Sequence, residues 1–112
     1  MILIVRKTAS PEQIGQMSEN FGGNFIKLAV DVNREILAGG GELHADCEQS
    51  LLKDGSEQID IWGADWHPDT RTVTFESLIN IRPRQQNFGL EVQDPDLCNR
   101  IEKIVRRLLE VG

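Results

Sequence analysis

Two runs of alternating character, Gln58 to His67 and Thr72 to Arg82, stand on either side of the short segment Pro68 to Arg71. Side chains of a strand point to opposite faces with a period of two, and a proline-led connection of this length is turn chemistry. The two runs are therefore expected to form an antiparallel hairpin, and the turn length fixes which residues face each other. Trp66 is expected opposite Val73, Ala64 opposite Phe75 and Trp62 opposite Ser77. Ile79 and Ile81 continue that core face. The other face then receives His67 against Thr72, Asp65 against Thr74, Gly63 against Glu76 and Ile61 against Leu78. A slip of one residue would exchange the two faces entirely, so this hairpin constrains the fold and the candidate sites together.

The remaining elements assemble around it. "MILIV" reads as a first strand that runs straight into Arg6 and Lys7. Ser10, Pro11 and Gln13 form a capping box for a short helix carrying Ile14 and Met17. From Phe25 to Asn33 apolar and polar residues alternate strictly, which favours a strand. A turn at Asn33 to Glu35 followed by "ILAGG" makes a second hairpin, with a single helix across Ala29 to Ala38 as the competing reading because Val30 and Leu37 are seven apart. Leu43, Cys47 and Leu51 recur every fourth residue and predict a helix of about three turns closed by Gly55. "FGLEV" is expected to add a further strand. Asp94 as cap, Pro95 at the first position and the stripe Leu97, Ile101, Ile104, Val105 and Leu108 predict a closing amphipathic helix. The fold class is then α+β: one domain over residues 1–112, a two-layer arrangement with helices packed on one face of a mostly antiparallel sheet, in the order β-α-β-β-α-β-β-β-α.

At 112 residues the chain is long enough for a core without disulfides or structural metal. Its two cysteines, Cys47 and Cys98, match neither a disulfide framework nor a metal knuckle and read as reduced thiols, which points to the cytoplasm. The apolar start is too short for a signal peptide or anchor, so no membrane association is expected. With 18 acidic against 12 basic residues the formal charge is −6, which opposes nucleic-acid binding over the surface as a whole. Binding of that kind would need a local basic patch.

Three groups of residues carry possible chemistry. His44 and Glu48 are four apart on the expected second helix, with Asp46 nearby, and would form an acid/base or metal pair. Cys47, three positions after His44, is a weaker nucleophile candidate. On the open face of the long hairpin, Asp65 and His67 at i and i+2, with Glu76 across from them, have the donor atoms of a metal site. In "INIRPRQQN", Arg82 and Arg84 flank Pro83 and would hold a carboxylate or phosphate of a small anionic ligand. Each group also has an ordinary structural explanation: a solvated sheet face, a hydrogen-bonded half-buried histidine, ion pairs. The triglycine before His44 lacks the Lys and Ser/Thr of a phosphate loop and is crowded by Glu42, Asp46 and Glu48, so a strand-to-helix turn is the favoured reading.

The run "GGGELHADCEQSLLKDGS" together with "WGAD", "LINIRPRQ" and "LEVQDP" resembles a small prokaryotic family of uncharacterised proteins, a domain of unknown function. The likeness spans about Lys27 to Leu109. It implies a single cytosolic domain and brings no activity, cofactor or catalytic residue with it.

Function is expected to be binding or assembly by a homodimer, because Ile61 and Leu78 would leave an outward apolar patch. The alternative is a metal-dependent or acid/base hydrolase-like enzyme on a small anionic substrate, using the histidine and carboxylate groups above. The sequence points to no particular cofactor.

Overall fold

The computed structural model describes residues 1–110. Eight regular elements follow one another: β1 (Leu3–Val5), α1 (Pro11–Ser18), β2 (Ile26–Asp31), β3 (Ile36–Gly39), α2 (His44–Lys53), β4 (Ile61–His67), β5 (Thr72–Thr74) and α3 (Pro95–Leu109). The five strands form one sheet in the order β1-β3-β2-β4-β5, and every neighbouring pair is antiparallel. Short 3-10 turns at Glu19–Phe21, Gln58–Asp60, Leu78–Asn80 and Pro83–Gln85 fill the connections.

Local chemistry accounts for the ends of the helices. Ser10 accepts the backbone N–H of Gln13 while the Gln13 side chain accepts the N–H of Ser10, so both halves of the capping box are present. Asp94 caps α3 by accepting the N–H of Asp96 at 2.9 Å. The β2–β3 turn is closed by Asp31, whose Oδ1 accepts the N–H groups of Asn33 and Arg34, and Glu35 takes a left-handed φ of 58°. The hairpin, and not the single helix, is what forms here.

One face of the sheet carries Ile26, Leu28, Val30, Leu37, Trp62, Ala64 and Trp66, and α1 and α3 cover it with Met17, Ile101, Ile104, Val105 and Leu108. Both indoles lie under the helices, as the hairpin register requires. The pairing Asp65 to Thr74, Trp66 to Val73 and His67 to Thr72 is also the expected one.

The α+β class and the antiparallel sheet under its helices agree with the sequence reading, but the helices do not share one face. Helix α2 packs on the second face, where Cys47 and Leu51 meet Ala29, Ile36, Ala38 and Ile61. The physical reason is side-chain size: alanine and glycine at alternate positions resemble a solvent face in a binary pattern, yet they let a helix approach the sheet closely. The sheet is thus sandwiched, and Ile61 is fully buried instead of facing outward. A second departure lies after β5. Strand pairing ends at Thr74, and beyond it only single bridges form, Glu76 with Glu91 of the segment "FGLEV" and Arg82 with Asn87 just before that segment. No sixth strand is formed by it. The triglycine is a packing device: Gly40 has φ 103°, and a Cβ there would run into the Met1 carbonyl oxygen.

No helix among the described residues is long and apolar enough to cross a membrane.

Candidate functional site

The motif "INIRPRQ" lies where the chain leaves the sheet. Asn80 is fully buried beside β4. Its Oδ1 accepts the N–H of Gly63 at 2.7 Å, and its Nδ2 lies 3.0 Å from the Gly63 carbonyl, 3.1 Å from that of Phe75 and 3.2 Å from that of Leu90. One side-chain amide thereby supplies what a neighbouring strand would have offered Gly63. Asn87 acts in the same manner further along the chain, donating toward the carbonyls of Asn80 and Glu91 and accepting the N–H of Gln93.

Arg82 continues this edge. Its Nε donates to the Ile79 carbonyl, one terminal nitrogen reaches the Gln58 carbonyl and Gln85, and the other reaches the Ile61 carbonyl and Glu48. A guanidinium has five N–H donors, and these contacts use all of them. Its central carbon also lies 4.6 Å from the Trp62 ring centre. Burial pushes the Arg82 pKa down, with the Glu48 charge opposing that shift. The expected pair Arg82 and Arg84 is therefore not a pair in function: Arg82 is spent on backbone carbonyls, while Arg84 alone is exposed beside them.

The second group is also redistributed. His44 and Glu48 do not join each other. His44 Nε2 lies 2.7 Å from Asp65 Oδ1 and 3.2 Å from the Ala64 carbonyl, tying the first turn of α2 to β4. Glu48 goes to Arg82 at 3.3 Å. Asp46 is exposed in the first turn of α2, where a carboxylate suits the helix dipole. Burial pushes the Cys47 thiol up to about 11, so it is protonated and inert near neutrality.

The expected metal trio scatters. Asp65 is taken by His44, and His67 Nε2 lies 2.9 Å from Thr74 Oγ1 with its ring 5.9 Å from that of Phe25. Glu76 is exposed and bridges to Glu91, because the chain has already left β4 at that point. Among the described residues no three His, Cys, Asp or Glu side chains gather into a metal-holding group.

What the peeling chain does create is a groove. An open cavity of about 650 Å³ runs between the 3-10 turns at Gln58–Asp60, Leu78–Asn80 and Pro83–Gln85. Three large apolar side chains stand out along it: Ile59 at 62 % exposure, Leu78 at 77 % and Ile81 at 44 %. Gln58, Gln85 and Arg84 form its polar margin. Leu78 is outward as expected. Ile81, expected in the core, lies outside it because pairing with β4 stops before it, and Ile59 joins the patch although the sequence reading singles out only Ile61 and Leu78 on that face.

Sheet, helices and groove together define a small α+β protein whose antiparallel sheet is covered on both faces and whose irregular edge carries an exposed apolar cleft. The chain belongs to the family DUF5674, a protein family of unknown function, whose model matches residues 3–108. No curated protein and no solved structure matches it.

Proposed function

We propose that this protein acts by binding and assembly, pairing with a second copy of itself through the groove that holds Ile59, Leu78 and Ile81. The observation that carries this reading is the convergence of three exposed, large apolar side chains in one cleft, on a molecule whose polar candidate groups are mostly engaged internally. Each such side chain covered by a partner contributes roughly 1.5–3 kcal/mol in the limit of full burial. The margin is mainly amide, with Arg84 as its outward cation, so the patch can face its own copy without a ring of like charges. The unpaired thiols of Cys47 and Cys98 support a reducing compartment, the cytoplasm, as the place of action.

Sedimentation velocity tests this directly. The native chain is expected to sediment as a dimer and Leu78→Asp as a monomer with an unchanged circular dichroism spectrum. A native chain that stays monomeric at high concentration would remove the proposal.

A second reading, acid/base catalysis, rests on the 2.7 Å contact of His44 with Asp65, a geometry in which a carboxylate orients an imidazole. Its test is a hydrolase screen on esters and phosphoesters comparing native protein with His44→Gln. Turnover lost in a folded His44→Gln variant supports it, and turnover unchanged by the substitution sinks it.

A further inference from the structure

Several arginines of this acidic chain are held by carboxylates. Arg6 and Arg34 share Asp54, Arg82 takes Glu48, and Arg106 takes both Glu102 and Glu110. Arg100, Lys103 and Arg107 behave differently. They lie at i, i+3 and i+7 along one flank of α3, beside the β2–β3 turn. Arg100 donates to the carbonyl of Val32 at 3.1 Å and Arg107 to that of Glu35 at 2.9 Å, so each guanidinium is steered by a neutral acceptor that leaves its charge in place. Among the described residues no carboxylate pairs with Arg100 or Lys103. Among the described residues Arg107 meets one carboxylate, the exposed Glu35, at 3.8 Å.

These side chains line a cavity of about 330 Å³ floored by Val32 and Ile104. The helix rises 1.5 Å per residue, so the two arginines leave α3 about 10 Å apart with the lysine between them. Opposite ends of the hollow thus carry forked donors already fixed by the turn, and its middle carries a mobile ammonium.

We propose that this hollow is a binding site for a small polyanion of the pyrophosphate or polyphosphate class, seated toward Lys103 and Arg107. The site is separate from the apolar groove, and neither proposal depends on the other. Anion binding replaces the weak, solvent-exposed Glu35 to Arg107 contact with charge-assisted hydrogen bonds from Lys103 and Arg107. On its far side Arg100 borders a second hollow that carries Asp60 and Asp94, which places the anion away from that end. The net charge of −6 does not prevent such binding, because at physiological ionic strength screening confines the field to the nearest groups.

Isothermal titration of the native chain with inorganic pyrophosphate, with amide chemical shifts followed in parallel, tests the site. Saturable binding is expected, with shifts centred on the Val32 to Glu35 turn and on α3 from Arg100 to Arg107, and with affinity falling as salt rises. Lys103→Gln is expected to weaken binding about five- to tenfold. Glu35→Gln is expected to strengthen it, because the one carboxylate that opposes the ligand is gone. Lys7→Gln, a cation outside the hollow, is expected to change nothing. No saturable binding, shifts located elsewhere, a Lys103→Gln variant that binds as the native chain does, or weaker binding by Glu35→Gln would each overturn the assignment.

Discussion

The outer edge of β4 is held in two different ways along its length. From Asp65 to His67 it pairs with β5, backbone to backbone. At Ile61 and Gly63 no strand lies alongside; Asn80 and Arg82 reach in with side chains and take the same backbone groups. An exposed strand edge invites pairing with another chain, and both solutions remove that hazard. They differ in consequence. A strand uses its whole backbone and leaves its side chains free, whereas side-chain capping lets the backbone wander off, and the 3-10 turns and apolar groove occupy the space so released. The polar residues of "INIRPRQ" that resemble a ligand site are therefore the fastening of the scaffold, and the apolar residues between them form the surface.

The largest effect is expected from cutting that fastening. Asn80→Ala leaves the N–H and C=O of Gly63 without their partner in a buried position, where an unsatisfied group costs about 1–3 kcal/mol, and removes one of two donors from each of the Phe75 and Leu90 carbonyls. A loss of about 3–5 kcal/mol is expected in urea unfolding, a large fraction of the stability of a domain this size. Thr72→Ala, an exposed change on the strand that holds the other half, is expected to cost under about 1 kcal/mol. Similar losses for the two variants would end the distinction between the halves.

A smaller effect is expected where the peeling chain crosses β4. A Cβ added at Gly63 would sit 2.5 Å from Ser77 Cβ and 2.7 Å from its Oγ, because Ser77 lies over the strand at that point. Gly63→Ala should therefore cost about 1–3 kcal/mol as an overpacked contact. Ser77→Gly in the same chain should recover some of that cost, and a double-mutant cycle reads the recovery as a coupling energy of at least about 0.5 kcal/mol. Strictly additive single effects would show that the close approach is not what makes glycine necessary.

Backbone-directed order is readable from the residues alone. Period-two alternation places Trp62, Ala64 and Trp66 together on one face, the one that α1 and α3 cover, the proline-led turn sets the register of β4 against β5, and caps at Ser10 and Asp94 mark two helix starts. What alternation cannot convey is where pairing stops. Ser77, Ile79 and Ile81 keep the rhythm of a strand after the chain has left the sheet, because the rhythm reflects which side is apolar and Ile79 still packs beneath α2. Nor can it separate a solvent face from a face of small residues, so Ala29, Ala38 and Gly63 conceal the seat of α2. Candidate chemistry suffers from the same gap. His44 and Asp65 are 21 residues apart and meet only because α2 crosses that face, whereas the local pair His44 and Glu48 diverges to different partners.

The smallest effect is expected at Asp65, on the half of β4 that a strand already holds. Asp65→Asn keeps an oxygen able to accept from His44 and leaves the pairing with Thr74 untouched, so the substitution removes charge without orphaning a backbone group. A change of about 1 kcal/mol or less in urea unfolding is expected, the scale of a single hydrogen bond with one partner weakened. That mildness makes Asp65 informative in a way that Asn80 is not. A variant that folds normally isolates the chemical role of the carboxylate. If the His44 to Asp65 contact is a tie between α2 and the sheet, self-association by sedimentation and pyrophosphate titration should both match the native chain. If Asp65→Asn were instead as damaging as Asn80→Ala, the backbone pairing of β4 with β5 would not be what secures that end. The contrast between a strand-held and a side-chain-held edge would then have to be abandoned.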